Sequence, residues 1–298
     1  MDGLLDAIGR RVIMCDGAMG TQLMARGMQS GECGMLWNVS RPADVMAVHR
    51  AYREAGCEMI TTNSFGGTTM ALGRHGEQAR GYELNLAAAK LAREVLGGSG
   101  WVIGDVGPFG DFLDPYGETT EDELRPVFEA QIAALSDGGV DALLVETMVD
   151  PAEVLVAMQA AAAVAPQLPV IVTFAFQKSA SGSFHTLMGT TPTEAVRRCL
   201  NAGASMVGAN CGTALSLDDY ERLAGELVAA AGACPVLVQP NAGSPRVHDE
   251  GIFYDASPAD MADIARRLAG LGVRVIGGCC GTTPAHLAAM AQNFTPPQ

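Results

Sequence analysis

DALLVETM, residues 141–148, is an apolar run that carries a polar Glu-Thr pair near its end. Near-continuous apolar runs of this kind are typical of parallel strands that are buried on both faces. The stretch over residues 151–165 opens with Pro151, and proline suits the first turn of a helix. Together the two segments predict one strand followed by one helix.

The same strand-then-helix unit recurs from end to end of the chain. Seven further apolar runs cover residues 12–16, 58–64, 101–107, 169–176, 205–211, 235–242 and 274–280. Helical patterns cover residues 43–55, 76–96, 192–202, 217–231, 258–270 and 284–293. Thr120, followed three residues later by Glu123, predicts a capping box at the start of another helix.

Eight such units in about 300 residues are typical of a closed (β/α)8 barrel. The alternative is an open doubly wound sheet, which normally has fewer units and a glycine fingerprint near its start. Neither GxGxxG nor a P-loop string follows any predicted strand, so a dinucleotide site and a P-loop are not indicated. We therefore predict an α/β protein with a single TIM-type barrel domain over residues 1–298, ending in a frayed tail at residues 294–298.

Composition limits the partners that such a protein can have. Of its 298 residues 48% are hydrophobic, and the net charge is −14 with a pI near 4.7. An acidic surface disfavours nucleic acid and anionic membranes, because both require a basic patch. The sequence has no long apolar run and does not open like a signal peptide, so we expect a cytoplasmic protein without a membrane span. There its eight cysteines stay reduced, as packing residues, metal ligands or reactive thiols.

Polar side chains gather where the predicted strands end, and barrel enzymes build their active sites at those ends. The residues are Asp16, Asn63, Glu146, Asn210, Cys211, Asn241, Cys279 and Cys280. Polar strand ends are expected in any barrel enzyme, so their convergence indicates a site without identifying its chemistry.

The string GGCCG at residues 277–281 is more specific. Neighbouring strand residues point to opposite faces, so Cys279 and Cys280 can share a metal only at a turn, which the flanking glycines permit. Cys211 would join them from two strands earlier, and three thiolates with an open fourth position are typical of a catalytic zinc site. A thiol that takes the open position loses its proton and becomes nucleophilic. Spacing alone leaves buried packing cysteines as an equal alternative, because no CxxC pair is present.

With these residues the chain resembles the homocysteine S-methyltransferase family. That family includes the homocysteine-binding module of cobalamin-dependent methionine synthase, betaine–homocysteine methyltransferase and enzymes that use S-methylmethionine. The matching strings follow the family's order and span nearly the whole chain. They are DGAMGT (16–21), TNSFGG (62–67), VGPFG (106–110), VET (145–147), GANC (208–211), QPNAG (239–243) and GGCCGTTP (277–284). The resemblance implies a (β/α)8 barrel enzyme that makes methionine by methylating the thiol of homocysteine.

The resemblance also implies a metal centre. Its Zn2+ ligands would be Cys211, Cys279 and Cys280, which act in catalysis through the metal. Asn210 and Asn241 match family positions near the site. The proposed reaction is a direct displacement, in which the homocysteine thiolate attacks the methyl carbon of the donor.

Substrate contacts follow from the same resemblance. The ammonium of homocysteine would meet Asp16 and Glu146. Its carboxylate would meet the backbone N–H groups of Gly17 and Ala18, since oriented amides form an anion-binding nest. The alternatives are a turn-forming role for Asp16 and an ion pair at the barrel rim for Glu146.

The methyl donor stays open. The chain ends after its eighth unit, so we expect it to lack the folate and cobalamin domains of cobalamin-dependent methionine synthase. A small onium donor, such as betaine or S-methylmethionine, is slightly favoured, because aromatic faces attract cations. Trp37 resembles a tryptophan that lines the donor pocket of betaine-type members. Further rings expected at the mouth are Phe65, Phe109, Phe112, Tyr116, Phe174 and Phe176, and the alternative is that all these rings only pack the lid.

The sequence leaves other functions open. A separate methylcorrinoid protein is the alternative donor, and the methionine-rich first loop would suit its docking or a mobile lid. An alternative of another class is a non-catalytic subunit that binds zinc and a thiol. A barrel aldolase or hydratase is disfavoured, because Lys90 and Lys178 lie in a predicted helix and a loop.

Overall fold

The computed structural model describes residues 3–248 and 251–294, and all eight predicted apolar runs contain a strand. Apart from Phe294, the predicted tail at residues 294–298 lies outside the described residues. The strands are β1 (Ile13–Met14), β2 (Met59–Thr61), β3 (Trp101–Val106), β4 (Ala142–Met148), β5 (Val170–Phe174), β6 (Phe176–Lys178), β7 (Phe184–Thr186), β8 (Met206–Cys211), β9 (Val236–Pro240), β10 (Pro245–His248), β11 (Gly251–Tyr254) and β12 (Val275–Ile276). Of these, the predicted runs give the eight strands of one sheet.

The sheet is a parallel barrel with the strand order β1-β12-β9-β8-β5-β4-β3-β2. A parallel bridge between Cys15 and Met59 joins its two outer strands. The Asp16 amide donates to the Met59 carbonyl at 3.0 Å and closes the sheet on itself. The predicted TIM-type fold is therefore confirmed, and because all strands run in one direction, their carboxyl ends share one rim.

Helices surround this barrel. They are α1 (Leu4–Arg10), α2 (Gly20–Met24), α3 (Trp37–Ser40), α4 (Pro42–Glu54), α5 (Thr69–Gly73), α6 (Gly81–Leu96), α7 (Glu121–Asp137), α8 (Pro151–Val164), α9 (Pro192–Asn201), α10 (Leu217–Ala231), α11 (Pro258–Gly270) and α12 (Pro284–Ala291). The predicted bounds of α10 and α11 are confirmed, and Thr120 and Glu123 form the predicted capping box. The predicted helix over residues 76–96 begins later, because Gln78–Arg80 is a separate 3-10 turn. No helix in the described part of the chain is long and apolar enough to cross a membrane.

Apolar side chains fill the inside of the barrel. They come from all eight strands and are Ile13, Met59, Ile103, Leu144, Ile171, Met206, Leu237 and Val275, with others. Leu4, Ala7 and Ile8 of α1 pack into the same cluster, at the end where the strands begin. A filled interior and a covered amino end leave the carboxyl-terminal rim as the face on which a site can form.

Two antiparallel hairpins at this rim are absent from the sequence prediction. One pairs β6 with β7, and the other pairs β10 with β11. Phe176 belongs to the first hairpin, so the prediction that it shares the fifth barrel strand with Phe174 is wrong. The apolar run continues across the strand end, and the sequence therefore hides the boundary. The two rings still lie close, with centroids 6.0 Å apart.

Candidate metal and substrate site

Three cysteine sulfurs meet at the carboxyl-terminal rim. Cys211 ends β8, whereas Cys279 and Cys280 follow β12. The sulfur of Cys280 lies 3.8 Å from that of Cys211 and 4.0 Å from that of Cys279. All three sulfurs lie within 4.8 Å of one another. A tetrahedral zinc ion with bonds of about 2.3 Å needs sulfurs about 3.8 Å apart, so the cluster has the spacing to hold a metal ion.

A tight turn explains how two adjacent cysteines reach one point. The Cys279 amide donates to the Pro240 carbonyl at 2.8 Å, and the Thr282 hydroxyl donates to the Cys279 carbonyl at 2.7 Å. A Cβ at Gly278 would lie 2.6 Å from the Thr282 side chain, and Gly281 has a φ of +78°. Glycine is therefore required at both positions, as the sequence indicated.

Cys211 reaches the cluster through a strained backbone. Its φ is +56°, a left-handed conformation that residues other than glycine rarely adopt. The side-chain amide of Asn241 supports this turn by donating to the Cys211 carbonyl at 2.9 Å. The Asn241 side-chain oxygen is buried and has no hydrogen-bond partner among the described residues.

Hydrogen bonds within the cluster favour a thiolate at Cys280. Bonds from Cys211 and Cys279 lower the pKa of Cys280 to about 3, and a hydrogen bond from Tyr254 acts in the same direction. Tyr254 ends the hairpin β10–β11, and its ring packs so tightly on Gly281 that a Cβ there would lie 2.1 Å away. Sequence reasoning missed Tyr254, because the hairpin that carries it was not predicted.

A cavity of about 530 Å3 borders the three sulfurs. This volume is within the roughly 300–1,000 Å3 of small-molecule sites. Its wall is rich in methionine, with Met19, Met24, Met28 and Met35, and it includes the ring of Phe65. Its polar groups include Asn63, Asp105 and Glu146.

Glu146 stands in this wall because β4 is irregular there. The register of β4 shifts between residues 145 and 148, and Thr147 has a φ of +60°, so both Glu146 and Thr147 line the cavity. The side-chain amide of Asn210 donates to Glu146 at 2.9 Å and to the Thr147 hydroxyl at 2.7 Å. Burial raises the pKa of Glu146 to about 7. Asn210 lies behind the wall and orients Glu146.

Of the three predicted substrate contacts after β1, Gly17 and Ala18 lie at the cavity and Asp16 does not. Gly17 and Ala18 line the cavity, and the Ala18 amide donates to the Thr282 hydroxyl at 3.1 Å. Asp16 is 1% exposed and lies outside the cavity lining. Its carboxylate accepts from the Thr61 amide at 2.9 Å and the Thr61 hydroxyl at 3.1 Å. The structure brings the Gly17–Ala18 segment to the site but turns Asp16 towards β2.

Asp105 is a cavity residue that sequence reasoning missed. It lies on β3 and forms a side-chain hydrogen bond with Glu146. Burial, and then the neighbouring charge of Glu146, raise the pKa of Asp105 well above its ordinary value. The only signal in the sequence is a lone aspartate inside the apolar run at residues 101–107.

Trp37 lies away from the cavity. Its side chain is 5% exposed in the main core, and the guanidinium of Arg41 stacks 3.9 Å above the ring. Phe109 is also buried, and Tyr116 is exposed outside the cavity lining. Trp37 is thus not part of the lining of this cavity, and burying its large ring stabilises the fold. Among the described residues that line the cavity, the aromatic one is Phe65.

Sequence comparison agrees with this geometry. The profile of the family described as Homocysteine S-methyltransferase matches residues 13–294. The chain belongs to the homocysteine S-methyltransferase family. The resemblance predicted from its motifs is thereby confirmed.

Relatives of this family member include much longer proteins. It is 32% identical over 318 residues to the methionine synthase of Mycobacterium tuberculosis and 31% identical over 308 residues to that of Mycobacterium leprae. These alignments cover 99% and 97% of this chain but 26% and 25% of the relatives. The chain therefore spans about a quarter of the length of these methionine synthases.

A solved structure of similar length has the same fold. The homocysteine methyltransferase MmuM from Escherichia coli, in its metallated form, superposes with a TM-score of 0.76 at 26% identity. The match covers 95% of this chain and 96% of MmuM.

Proposed function

We propose that this chain catalyses the zinc-dependent transfer of a methyl group to the thiol of homocysteine, which gives methionine. The observation that carries the proposal is the cluster of Cys211, Cys279 and Cys280, which borders a cavity with a carboxylate in its wall. Family membership supports homocysteine as the acceptor. Soft sulfur ligands support zinc over magnesium or calcium. We place the protein in the cytoplasm, where such thiols stay reduced.

The residues of the chain have distinct tasks in this reaction. The three cysteines would hold the zinc ion, which lowers the pKa of a thiol at its open position and so makes homocysteine nucleophilic near neutral pH. Glu146, oriented by Asn210, faces the ammonium of homocysteine. The Gly17–Ala18 segment faces its carboxylate. Holding acceptor and donor in one cavity aligns the sulfur with the methyl carbon and removes much of the entropic cost of their encounter.

A small onium compound, such as betaine or S-methylmethionine, is the donor that we favour. The cavity wall combines several methionines with the ring of Phe65, and aromatic faces and polarisable sulfur suit an alkylated cation. A separate methylcorrinoid protein is the alternative donor, for which the same methionines would form a docking surface. The alternative of another class is a subunit that binds zinc and homocysteine without turnover.

Replacing Phe65 with alanine is expected to raise the KM for an onium donor about three- to tenfold. The lost cation–π contact is worth about 0.7–1.4 kcal/mol, whereas the KM for homocysteine should change less than about twofold. Trp37→Ala is the matched control, because it removes a ring outside the cavity and should lower the Tm without a donor-specific effect. Steady-state kinetics measure both variants. If only Trp37→Ala raises the KM for the onium donor, Trp37 and not Phe65 binds the donor.

A donor panel tests the function itself. The purified, zinc-loaded chain is mixed with homocysteine and each onium donor in turn, and methionine is measured by mass spectrometry. Turnover with an onium donor supports the proposed enzyme, and its loss on chelation with recovery on zinc addition supports the metal. Turnover only with a methylcorrinoid protein would favour the alternative donor. Binding of zinc and homocysteine without turnover under any condition would favour the non-catalytic subunit.

A further inference from the structure

The sulfurs that hold a zinc ion in a methyltransferase can themselves attack the methyl donor. Cys211, Cys279 and Cys280 all line the cavity in which the proposed function places the donor. A thiolate of the protein and the thiolate of homocysteine are the same kind of nucleophile. Methylation of a cysteine removes the negative charge with which it holds the metal, and so inactivates the site. The chain therefore needs a feature that makes its own sulfurs poorer nucleophiles than that of the substrate.

Tyr254 supplies such a feature at one of these sulfurs. Its side chain forms a hydrogen bond with that of Cys280. In a bond to a thiolate the tyrosine hydroxyl is the donor, because the ionised sulfur has no proton to give. The ring packs on Gly281, where a Cβ would lie 2.1 Å from it. Tyr254 is not among the described residues that line the cavity, so its hydroxyl reaches the sulfur without taking the place of a substrate.

Backbone contacts hold Tyr254 next to the cysteine turn. Tyr254 ends β11, and two residues later the Ala256 amide donates to the Ala242 carbonyl at 3.0 Å. The Ala242 amide in turn donates to the Cys280 carbonyl at 3.0 Å. The Ala256 carbonyl also accepts from Nε2 of His286 at 3.0 Å, and His286 lies on α12, directly after the turn. The position of the tyrosine is therefore fixed relative to the Cys280 sulfur.

We propose that Tyr254 directs methylation to homocysteine, because its hydroxyl makes the Cys280 sulfur a poorer nucleophile. The inference rests on the proposed function, since it assumes zinc and a methyl donor at the cavity. A hydrogen bond to a thiolate stabilises the electron pair that would attack the methyl carbon, and it weakens as the sulfur loses its charge. Attack by Cys280 would form a C–S bond and break the bond from the methyl carbon to the onium atom, which leaves with that electron pair. Tyr254 thus raises the barrier to this side reaction.

Site-specific methylation of the zinc-loaded chain tests this role. The chain is treated with methyl iodide, a small methylating agent, and S-methylcysteine is located by mass spectrometry of its peptides. Cys211 is the internal reference, because it lies in the same cavity wall. Tyr254→Phe should raise the rate of Cys280 methylation about three- to tenfold relative to that of Cys211, since part of a charge-assisted hydrogen bond is lost in the barrier. Zinc content is measured in the same samples and should fall as Cys280 is methylated.

Tyr82→Phe is the matched control for this variant. It also removes a hydroxyl with a known partner, since Tyr82 donates to Asp137 at 2.7 Å, but the residue is exposed on α6. The ratio of Cys280 to Cys211 methylation should then stay at the wild-type value. Tyr254→Leu gives a second measurement, because leucine keeps an apolar side chain next to Gly281 and has no hydroxyl.

Two results would overturn the role of Tyr254 alone. One is an unchanged ratio of Cys280 to Cys211 methylation in both Tyr254 variants. The other is an equal rise at all three cysteines after zinc has already been lost, which would indicate a structural role only. A wild-type chain that retains no zinc would refute the metal centre and this inference with it. A zinc-loaded chain that forms no methionine with any donor would refute the proposed function, whereas the methylation ratio, which needs no turnover, would still decide the role of Tyr254.

Discussion

Replacing Cys280 with alanine is expected to remove bound zinc and methyl transfer together. Its sulfur lies within 4.0 Å of both other site sulfurs, and the two cysteines that remain cannot enclose the ion as three do. Structural zinc sites with four ligands bind with roughly 10–16 kcal/mol, so one ligand contributes about 2.5–4 kcal/mol. Its loss lowers zinc affinity by about two to three powers of ten. Zinc content after dialysis, and methionine formation, measure the two losses.

Cys234→Ala is the matched control for this variant. Cys234 is also a partly exposed free thiol, but it precedes β9 at the opposite end of the barrel, where its sulfur lies 3.7 Å from the Ser205 carbonyl. Its removal should leave zinc content and turnover near the wild-type values. A Cys280→Ala chain that keeps one zinc ion and full activity would rule out this residue as a ligand.

The barrel and the sulfur cluster are the features that the sequence predicts well. Parallel strands buried on both faces read as apolar runs, so every barrel strand is visible without knowledge of its neighbours. The sequence also predicts the turn at Cys279 and Cys280, because two adjacent cysteines between glycines are typical of a turn rather than a strand. In both cases the signal is local, within one run or one string.

The features that the sequence does not predict depend on where side chains point in the folded chain. Asp105 lies in the middle of an apolar run, and its side chain is identified as a cavity group only once the register of β3 is known. Trp37 is placed near the rim by resemblance, yet the turn of its ring into the core depends on packing. Tyr254 is carried to the cluster by a hairpin of two four-residue strands, too short to give a clear pattern.

Replacing Glu146 with glutamine is expected to weaken homocysteine binding about a hundredfold while zinc stays bound. Glutamine has nearly the same shape and keeps an oxygen that can accept from Asn210, so the neighbouring Cys211 should stay in place. The variant removes the negative charge that faces the ammonium, and a loss of about 2.7 kcal/mol is within the range for hydrogen bonds to charged groups. Titration calorimetry with homocysteine, together with zinc analysis, separates substrate binding from metal binding.

Glu153→Gln is the matched control for Glu146→Gln, because Glu153 is also a buried glutamate. Glu153 is 2% exposed on α8 and accepts from the Phe109 amide at 2.7 Å, but it lies outside the cavity lining. Glu153→Gln should therefore leave the homocysteine Kd within about twofold of the wild type, even if the Tm falls. If Glu146→Gln also leaves the Kd unchanged, Glu146 does not bind substrate. If Glu146→Gln releases zinc instead, the role of Glu146 is to support the turn at Cys211. The two losses are separable because Glu146 touches the metal ligands only through Asn210 among the hydrogen bonds described.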